Sequence, residues 1–336
     1  MASIKEIAKE ANVSPATVSK ALNKRKDISE ATRQKILRIA ESHNFVPNAT
    51  GRNLKNRTTE SVGVIFCRES QPLSGNPFYS RVLEGIEAEL AVNNYNLVLH
   101  LLPNDYKGNL PKMLREGQVD GIILAGVMRS DFIDRLKTLE ISVVLIDPKI
   151  LVSDLSQVLI DNEHGAFQAT EYLINLGHER IGFISGNLDR LSFLQRFKGY
   201  KKALEYHHIQ FDEQLVQTGG LEHGYEHTKK LLEMNGPPTA IFAANDINAI
   251  YGYKAIKDAR LRIPEDVSVI GFDDIELAKI SSPPLSTVRV YKEEMGSIAV
   301  RILLQRINGY TNQPLTTMVP TKLVERESVS SQKKAQ

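Results

Sequence analysis

The chain has 336 residues, a formal net charge of +2, and 42% hydrophobic and 24% charged residues, which suits a globular protein too long for one ordinary domain. The single cysteine, Cys67, cannot form an internal disulfide and lies in an apolar run, so we expect a small core residue. The start of the chain does not resemble a secretory signal, and no run of about 18 apolar residues occurs, so a cytoplasmic protein without a membrane segment is expected.

Charge is divided unevenly along the chain. Residues 1–57 hold 12 Lys and Arg against 5 Asp and Glu, whereas the remainder holds 30 against 35. A basic head on an acidic body is the distribution expected of a module that binds nucleic-acid phosphates. We therefore expect a DNA-binding head over residues 1–57 and a separate body over residues 61–330.

The head begins with a pattern of two short helices joined by a tight turn. Apolar residues recur at helical spacing from Ile4 to Ala11, and Asn12 interrupts them. Ser14 is a suitable N-cap, and Pro15 a suitable first residue, for the second helix. The pattern is typical of a helix-turn-helix, whose second helix reads the major groove. The predicted contacts to phosphates and base edges are Ser14, Pro15, Ala16, Thr17, Ser19, Lys20 and Asn23.

A second candidate DNA-binding segment follows Pro47. This proline ends the preceding helix, Asn48 can cap a new one, and only about two turns are available. A helix that short is marginal in water and should fold only against a partner or DNA. Leu54 would be exposed on it and, beside Arg52, suits insertion between base steps in the minor groove. Asn48, Arg52 and Leu54 are therefore predicted DNA contacts.

The run from Ile4 to Leu54 resembles the headpiece and hinge helix of the lactose-repressor (LacI/GalR) family of bacterial transcription regulators. The matching motifs are Val13-Ser14, Thr17-Val18-Ser19, Leu22-Asn23, Thr32-Arg33, Pro47-Asn48 and Arg52-x-Leu54. Gly51 departs from the family pattern, which usually has Ala there. Because Gly costs about 1 kcal/mol in a helix interior, we expect this hinge helix to be less stable off DNA than is usual for the family.

From Ser61 onward, apolar runs that predict strands alternate with helical patterns. The first set has strands at 62–66, 95–99, 121–124 and 143–146, with helices near 78–93, 107–116 and 130–138. The second set has strands at 180–185, 215–217, 239–243 and 267–272, with helices near 192–207, 223–234 and 247–258. Each set opens with a strand, a polar loop and a helix that carries a glycine at a packing position, Gly85 in one and Gly199 in the other. Such alternation predicts two similar lobes, each built on a parallel, doubly wound sheet.

The body also resembles periplasmic sugar-binding proteins and the effector domains of the same repressor family. The fold that this implies is an all-α helix-turn-helix headpiece with a hinge helix, followed by a two-lobed α/β effector domain of the type I periplasmic-binding-protein kind. A strand at 285–290 and a helix at 293–307 are expected to return the chain to the first lobe. The expected bounds are about 61–159 plus 290–320 for lobe 1, and about 160–289 plus 321–330 for lobe 2.

The predicted ligand site lies between the lobes. Ligands of doubly wound sheets bind beyond the carboxyl ends of the strands, where polar loops with Asp, Asn, Arg and aromatic side chains follow these strands. Such side chains suit a small polar ligand with rings and hydroxyls. The predicted effector contacts are Phe78, Tyr79, Asp147, Arg190, Ser192, Arg196, Asn245, Asp246 and Asp273. The family resemblance favours all of them except Tyr79 and Asp147, which are predicted from their positions after strands.

Several of these residues have structural alternatives. Asn245 and Asp246 could cap the helix that follows them, Tyr79 could pack on its own helix, and Arg190 could be a solvated charge. Arg196 and Asp273 could pair with each other to hold the second lobe. Asp274 is expected to have a structural role rather than a ligand-binding one.

The resulting interpretation is a repressor that binds a pseudo-palindromic operator in double-stranded DNA as a homodimer, controlled by a small sugar-like effector. The polar tail after Glu327 has no heptad leucines, so we do not expect a tetramer. His223 to His227 match a zinc-protease string but have no evident third ligand, and no cofactor, metal or catalytic motif is expected. A protein co-effector is possible but not indicated. The alternative, a transporter's solute-binding protein, predicts a signal peptide and no basic head.

Overall fold

The computed structural model describes residues 3–22, 25, 27–43, 45, 58–68, 72–103, 105–220 and 223–332. The chain divides into two compact units, Met1–Thr59 and Glu60–Gln336. Each unit is built around its own hydrophobic core. None of the helices in the described ranges has the length and apolar character needed to cross a bilayer.

The described residues of the first unit form three helices: α1 (Ile4–Ala11), α2 (Pro15–Leu22) and α3 (Glu30–Ser42). Local signals define the start of α1, where the Ser3 hydroxyl accepts from the Glu6 amide at 3.3 Å and the Glu6 carboxylate accepts from the Ser3 amide at 2.6 Å. The Ser14 hydroxyl caps α2 by accepting from the Thr17 amide at 3.1 Å, which confirms the predicted cap. The helices enclose a small core of Ile7, Ala8, Ala11, Val18, Ala21, Ile36 and Ala40.

In the second unit, six parallel strands form the sheet of the first lobe. They are β1 (Ser61–Arg68), β2 (Asn96–Pro103), β3 (Gly121–Ala125), β4 (Ser142–Ile146), β5 (Ser156–Ile160) and β11 (Thr316–Val319), in the spatial order β11-β5-β4-β3-β1-β2. The helices of this lobe are α4 (Tyr79–Val92), α5 (Lys112–Arg115), α6 (Ser130–Lys137) and α12 (Lys292–Ile307). Cores on both faces of the sheet explain why its strands are nearly continuous apolar runs.

The second lobe is a four-stranded parallel sheet in the order β7-β6-β8-β9. Its strands are β6 (Ile181–Gly186), β7 (Val216–Gly219), β8 (Ala240–Ala243) and β9 (Ser268–Ile270). The helices are α7 (Asn162–Asn175), α8 (Leu191–Tyr206), α9 (Gly224–Leu232), α10 (Asp246–Asp258) and α11 (Glu276–Ile280). A separate antiparallel pair, β10 (Thr287–Val290) with β12 (Thr321–Val324), lies where the chain passes between the lobes.

Several elements differ from the sequence prediction. The helix expected near 107–116 is reduced to the single turn of α5, because Gly108 and Pro111 disfavour a helix before Lys112. Strand β5 and helix α7 were not predicted at all. β5 opens with the buried polar residues Ser156 and Gln157, and α7 buries mainly small side chains, so neither has a strong apolar period.

The two glycines singled out in the sequence both lie at close helix crossings. A Cβ at Gly85 of α4 would collide with the carbonyl oxygen of Glu293 at the start of α12, and one at Gly296 of α12 would collide with the Val82 carbonyl. A Cβ at Gly199 of α8 would collide with the Glu163 carbonyl of α7. Backbone-to-backbone contact of this kind leaves no room for any other residue.

Candidate functional site

The exposed surface of α2 is the candidate nucleic-acid interface. Ser14, Pro15, Ala16 and Lys20 are exposed on it, while Thr17 and Ser19 are half-buried beside the core residue Val18. The small side chains at the start of the helix allow close approach to a polynucleotide. Four other predicted contacts, Asn23, Asn48, Arg52 and Leu54, lie outside the residues that the structure describes.

Lys20, one of the predicted DNA contacts, forms an exposed ion pair with Asp27. Its ammonium lies 2.7 Å from the Asp27 carboxylate, and about half of each side chain is exposed, 51% and 57%. Exposed pairs of this kind contribute about 0–1 kcal/mol. Exchange of Asp27 for a phosphate or a base edge is therefore inexpensive.

In the second unit, a cavity lies between the carboxyl ends of the two sheets. Eight of the nine predicted effector residues line it, namely Phe78, Tyr79, Asp147, Arg190, Ser192, Arg196, Asn245 and Asp273. The remaining lining residues, which the sequence did not suggest as contacts, are Phe66, Cys67, Asn76, Pro77, Val127, Phe193, Ile247 and Ile275. Cys67 is buried as expected, but it also faces this cavity, and its place near the carboxyl end of β1 was the available signal.

Aromatic side chains form the wall contributed by the first lobe. The ring of Tyr79 packs edge-on against those of Phe66 and Phe78, each at a centroid distance of 5.0 Å. The Asn76 carboxamide orients the start of α4 by accepting from the amides of Phe78 and Tyr79 at 3.2 and 3.0 Å. The Tyr79 hydroxyl donates to Asp147 at 3.2 Å, so this tyrosine joins the aromatic wall to a carboxylate.

On the side of the second lobe, Arg196 is almost wholly buried and pairs with Asp273. One terminal nitrogen lies 3.1 Å from Oδ1 of Asp273, and the two side chains are 4% and 13% exposed. The guanidinium also donates to Asn162 at 2.8 Å and to the Ala244 carbonyl at 2.5 Å, and it stacks on Phe272 at 3.8 Å. The paired arrangement is therefore present. Both residues also line the cavity.

Asp273 retains acceptor capacity in this position. Its Oδ1 is buried and lies at ion-pair distance from Arg196 without the alignment of a hydrogen bond. The backbone of Asp273 has a φ of 115°, and that of Asp274 a φ of 51°, both rare for residues with a side chain. Strain of this kind costs about 1–3 kcal/mol per residue and is often found at binding sites.

Among the described residues that line the cavity, the charges are balanced, with two carboxylates and two guanidiniums. Burial raises the pKa of Asp147, and nearby Arg190 and Arg196 act against that rise. Burial likewise raises the pKa of Asp273, again opposed by Arg196. A site with this balance favours neither an anion nor a cation as its occupant.

Asp246, the ninth predicted effector residue, does not line the cavity. Its predicted role as a ligand contact is therefore corrected to a structural role. Asp246 is fully buried, and its two oxygens accept from the Thr287 hydroxyl at 2.5 Å and from the Ile275 amide at 2.9 Å. The residue is the first of α10, whose cap is the Asn245 side chain, which accepts from the Asn248 amide at 2.8 Å. Asn245 thus has the capping role considered above and also lines the cavity.

We expect Asp246 to make stability depend on pH. Burial, with the negative charge of Asp273 nearby, raises its pKa from 3.8 to about 8. The contribution of Asp246 to the free energy of unfolding is therefore fully present below about pH 4 and is lost as the pH rises through about 8. Relative to the wild type, Asp246→Asn should gain stability on the order of a few kcal/mol between about pH 5 and about pH 9. Urea unfolding of both proteins across this range measures the difference, and parallel pH profiles would contradict the assignment.

Asp274 has the structural role expected of it. Its carboxylate accepts from Arg289 and from Arg326, both at 2.6 Å, and only 3% of the side chain is exposed. These ion pairs lower its pKa although burial acts in the opposite direction. Asp274 thus connects the end of β9 to the antiparallel pair β10–β12.

The string from His223 to His227 also has a structural explanation. His223 precedes α9, and its Nδ1 accepts from the Gly220 amide at 3.2 Å. His227 is buried, and burial lowers its pKa. Within the described ranges, no group of three or more His, Cys, Asp or Glu side chains is arranged to hold a metal ion.

Comparison with known proteins identifies both units. Residues 3–48 match the family model of bacterial regulatory proteins of the lacI family, and residues 170–329 match that of a periplasmic binding protein-like domain. The chain is 35% identical to the HTH-type transcriptional repressor PurR of Vibrio atlanticus (strain LGP32), over 98% of this chain and 99% of that protein. It belongs to the LacI family. The ribose operon repressor of Haemophilus influenzae is also 35% identical, over 99% of this chain and 100% of that protein.

Solved structures agree with this family membership. A complex of the transcriptional regulator CelR with cellobiose is 30% identical, with a TM-score of 0.72, over 98% of this chain and 100% of that one. The lac repressor dimer bound to operator and an anti-inducer is 23% identical with a TM-score of 0.84, over 98% of this chain and 99% of that one, which supports the fold alone. The LacI-family protein is accordingly a DNA-binding transcriptional repressor with a helix-turn-helix head and a two-lobed body. Both curated relatives named above are repressors, not enzymes.

Proposed function

We propose that this repressor binds a small, uncharged ligand with several hydroxyl groups, a sugar or sugar derivative, in the interlobe cavity, and that the ligand sets its affinity for operator DNA. The observation that carries the proposal is the balanced set of charges beside the aromatic wall. Carboxylates of Asp147 and Asp273 can accept from hydroxyls, and the guanidinium of Arg190 can donate to them. Aromatic faces suit the C–H surface of a sugar ring.

Charge balance argues against a phosphorylated ligand. A phosphate needs a surplus of positive charge, whereas Arg196 is already paired with Asp273 and donates to two further groups, and the charge of Arg190 is opposed by that of nearby Asp147. Among the relatives, one is named for the ribose operon and one was solved with cellobiose. Both sugars are uncharged, and both are reasonable starting ligands here.

On the DNA side, the contacts are proposed for Ser14, Pro15, Ala16, Thr17, Ser19 and Lys20 of the second helix and its start, with Asn23, Asn48, Arg52 and Leu54 beyond the described residues. The protein would act in the cytoplasm, where operator DNA is found, and without catalysis. Its basic head, which matches the family model, argues against a solute-binding role in transport. Ligand control of operator affinity requires only that the ligand bind two lobe arrangements with different affinity.

A homodimer suits both a two-fold operator and the surface of the second lobe. Three large apolar side chains on α10 and α11 are exposed, Tyr251 at 40%, Leu277 at 46% and Ile280 at 77%. A second copy that covers them would bury apolar area that water now contacts. Sedimentation of the full chain at micromolar concentration should give a dimer, and a monomer at operator-binding concentrations would contradict this part of the proposal.

The single cysteine provides a direct test of ligand binding. Cys67 lines the cavity, so an occupant should slow its reaction with a small thiol reagent. We expect D-ribose or cellobiose to protect Cys67 and to raise the melting temperature, since a ligand of the native state stabilises it by mass action. Ribose 5-phosphate and hypoxanthine serve as matched comparisons. Protection by the phosphate ester alone, or by the base alone, would contradict an uncharged sugar as the ligand.

A further inference from the structure

Lys292 is a buried charge in an unfavourable place. It is the first residue of α12, and only 5% of its surface is exposed. There its ammonium meets the positive end of the helix dipole, and burial lowers its pKa, opposed by the nearby carboxylates of Asp273, Asp246 and Asp274. A cation persists in such a position only when strong contacts compensate for it.

Those contacts are three backbone carbonyls near the boundary between the lobes. The Lys292 ammonium donates to the carbonyl of Asp273 at 2.5 Å, of Val290 at 3.2 Å and of Asp274 at 3.3 Å. Three acceptors match the three N–H groups of an ammonium. Helix α12 packs on α4 and on the sheet of the first lobe, whereas Asp273 and Asp274 follow the last strand of the second lobe. Lys292 thus connects the two lobes.

The segment that Lys292 holds also presents the cavity carboxylate. With φ values of 115° and 51°, Asp273 and Asp274 occupy strained conformations that surrounding contacts must maintain. This backbone directs the side chain of Asp273 toward Arg196 and that of Asp274 toward Arg289 and Arg326. Loss of the ammonium would remove a charged donor from two strained carbonyls, so the segment should relax.

We propose that Lys292 is a positioning residue of the ligand site. By holding the carbonyls of Asp273 and Asp274 it fixes the Asp273 carboxylate in the cavity and ties that end of the cavity to α12 of the first lobe. A ligand that moves Asp273 therefore acts directly on α12. The inference rests on the ligand site proposed above and adds the residue through which that site communicates with the first lobe.

The test uses Lys292→Met in the full-length protein, with two measurements. The first needs no ligand: the rate at which methyl methanethiosulfonate modifies Cys67, which lines the cavity from the first lobe. If Lys292 ties the lobes together, its loss should raise this rate about tenfold or more. The second is the affinity for D-ribose, which should fall by a similar factor because Asp273 is no longer held in place.

Two control variants separate positioning from general stability. Lys229→Met removes an exposed ammonium of α9 that lies near Glu233 and should leave both measurements unchanged. Ile256→Ala removes a fully buried side chain of α10 in the core of the second lobe and lowers stability without touching the segment at 273–274. Labelling rates are compared at equal free energy of unfolding, adjusted with urea.

The outcomes are distinct. Faster Cys67 labelling in Lys292→Met than in Ile256→Ala supports the positioning role. The labelling result supports the positioning role even if D-ribose does not bind the wild type. In that case only the proposal that the ligand is a sugar would be wrong. Equal labelling rates in the two variants would mean that Lys292 contributes only stability, and the inference would be wrong.

Discussion

Arg196→Ala is expected to abolish the response to ligand and to lower the stability of the protein. Its guanidinium reaches Asp273, Asn162 and the Ala244 carbonyl and stacks on Phe272. Removal of one member of a buried ion pair leaves an uncompensated charge, which typically costs about 3–5 kcal/mol. A role in ligand binding alone would leave the melting temperature of the unliganded protein nearly unchanged. The observed pairing instead predicts a large loss of stability, and Asp273→Ala should behave similarly.

Because both single variants destabilise the protein, the ligand role needs a second comparison. The double variant Arg196→Met, Asp273→Leu replaces the buried pair with apolar side chains of similar size, which often recovers stability. We expect it to melt above either single variant but below the wild type, because the Asn162 and Ala244 oxygens lose their donor. It should bind its operator but not respond to D-ribose or cellobiose. Lys202→Ala, which breaks an exposed pair with Glu163, is the control and should change neither property. A stable double variant that still responds to the sugar would assign both residues a purely structural role.

Leu54→Ala is expected to remove most of the specific affinity for the operator while leaving non-specific binding to DNA intact. The reason is the predicted hinge helix, where Leu54 from each protomer would insert into a base step and kink the duplex. Without the wedge, binding relies on phosphate contacts, so specific affinity should fall by about 100-fold or more toward the non-specific level. Titration of the protein with operator DNA and with random DNA, at several salt concentrations, measures the specific and the non-specific affinity.

The headpiece supplies a matched control for this variant. Leu37 on α3 is also a partly exposed leucine, at 38%, in the same unit as the helix-turn-helix, but it is not among the predicted DNA contacts. Leu37→Ala should leave operator affinity within a few-fold of the wild type. If Leu54→Ala bound the operator as tightly as Leu37→Ala does, the wedge mechanism would be wrong.

The sequence could predict the helix-turn-helix because its signals are local. Ser14 caps a helix that begins one residue later, and Ile7 and Val18 are buried where helical spacing placed them. It could also predict half of the residues that line the cavity. In a parallel sheet, the carboxyl ends of all strands lie at one edge, so polar loops after apolar runs converge without knowledge of the individual contacts.

Only the tertiary structure decided what each of those side chains does there. Asp246 and Asp273 both follow strands of the second lobe, yet the oxygens of Asp246 are used by Thr287 and Ile275, while Asp273 faces the cavity beside Arg196. No role was predicted for Lys292, because nothing nearby in the sequence indicates the carbonyls that it binds. These pairings join residues far apart in the chain, and burial changes the ionisation and partners of a group according to its surroundings. Local patterns therefore determined where the head and the cavity lie, and long-range packing determined which carboxylate is available to a ligand.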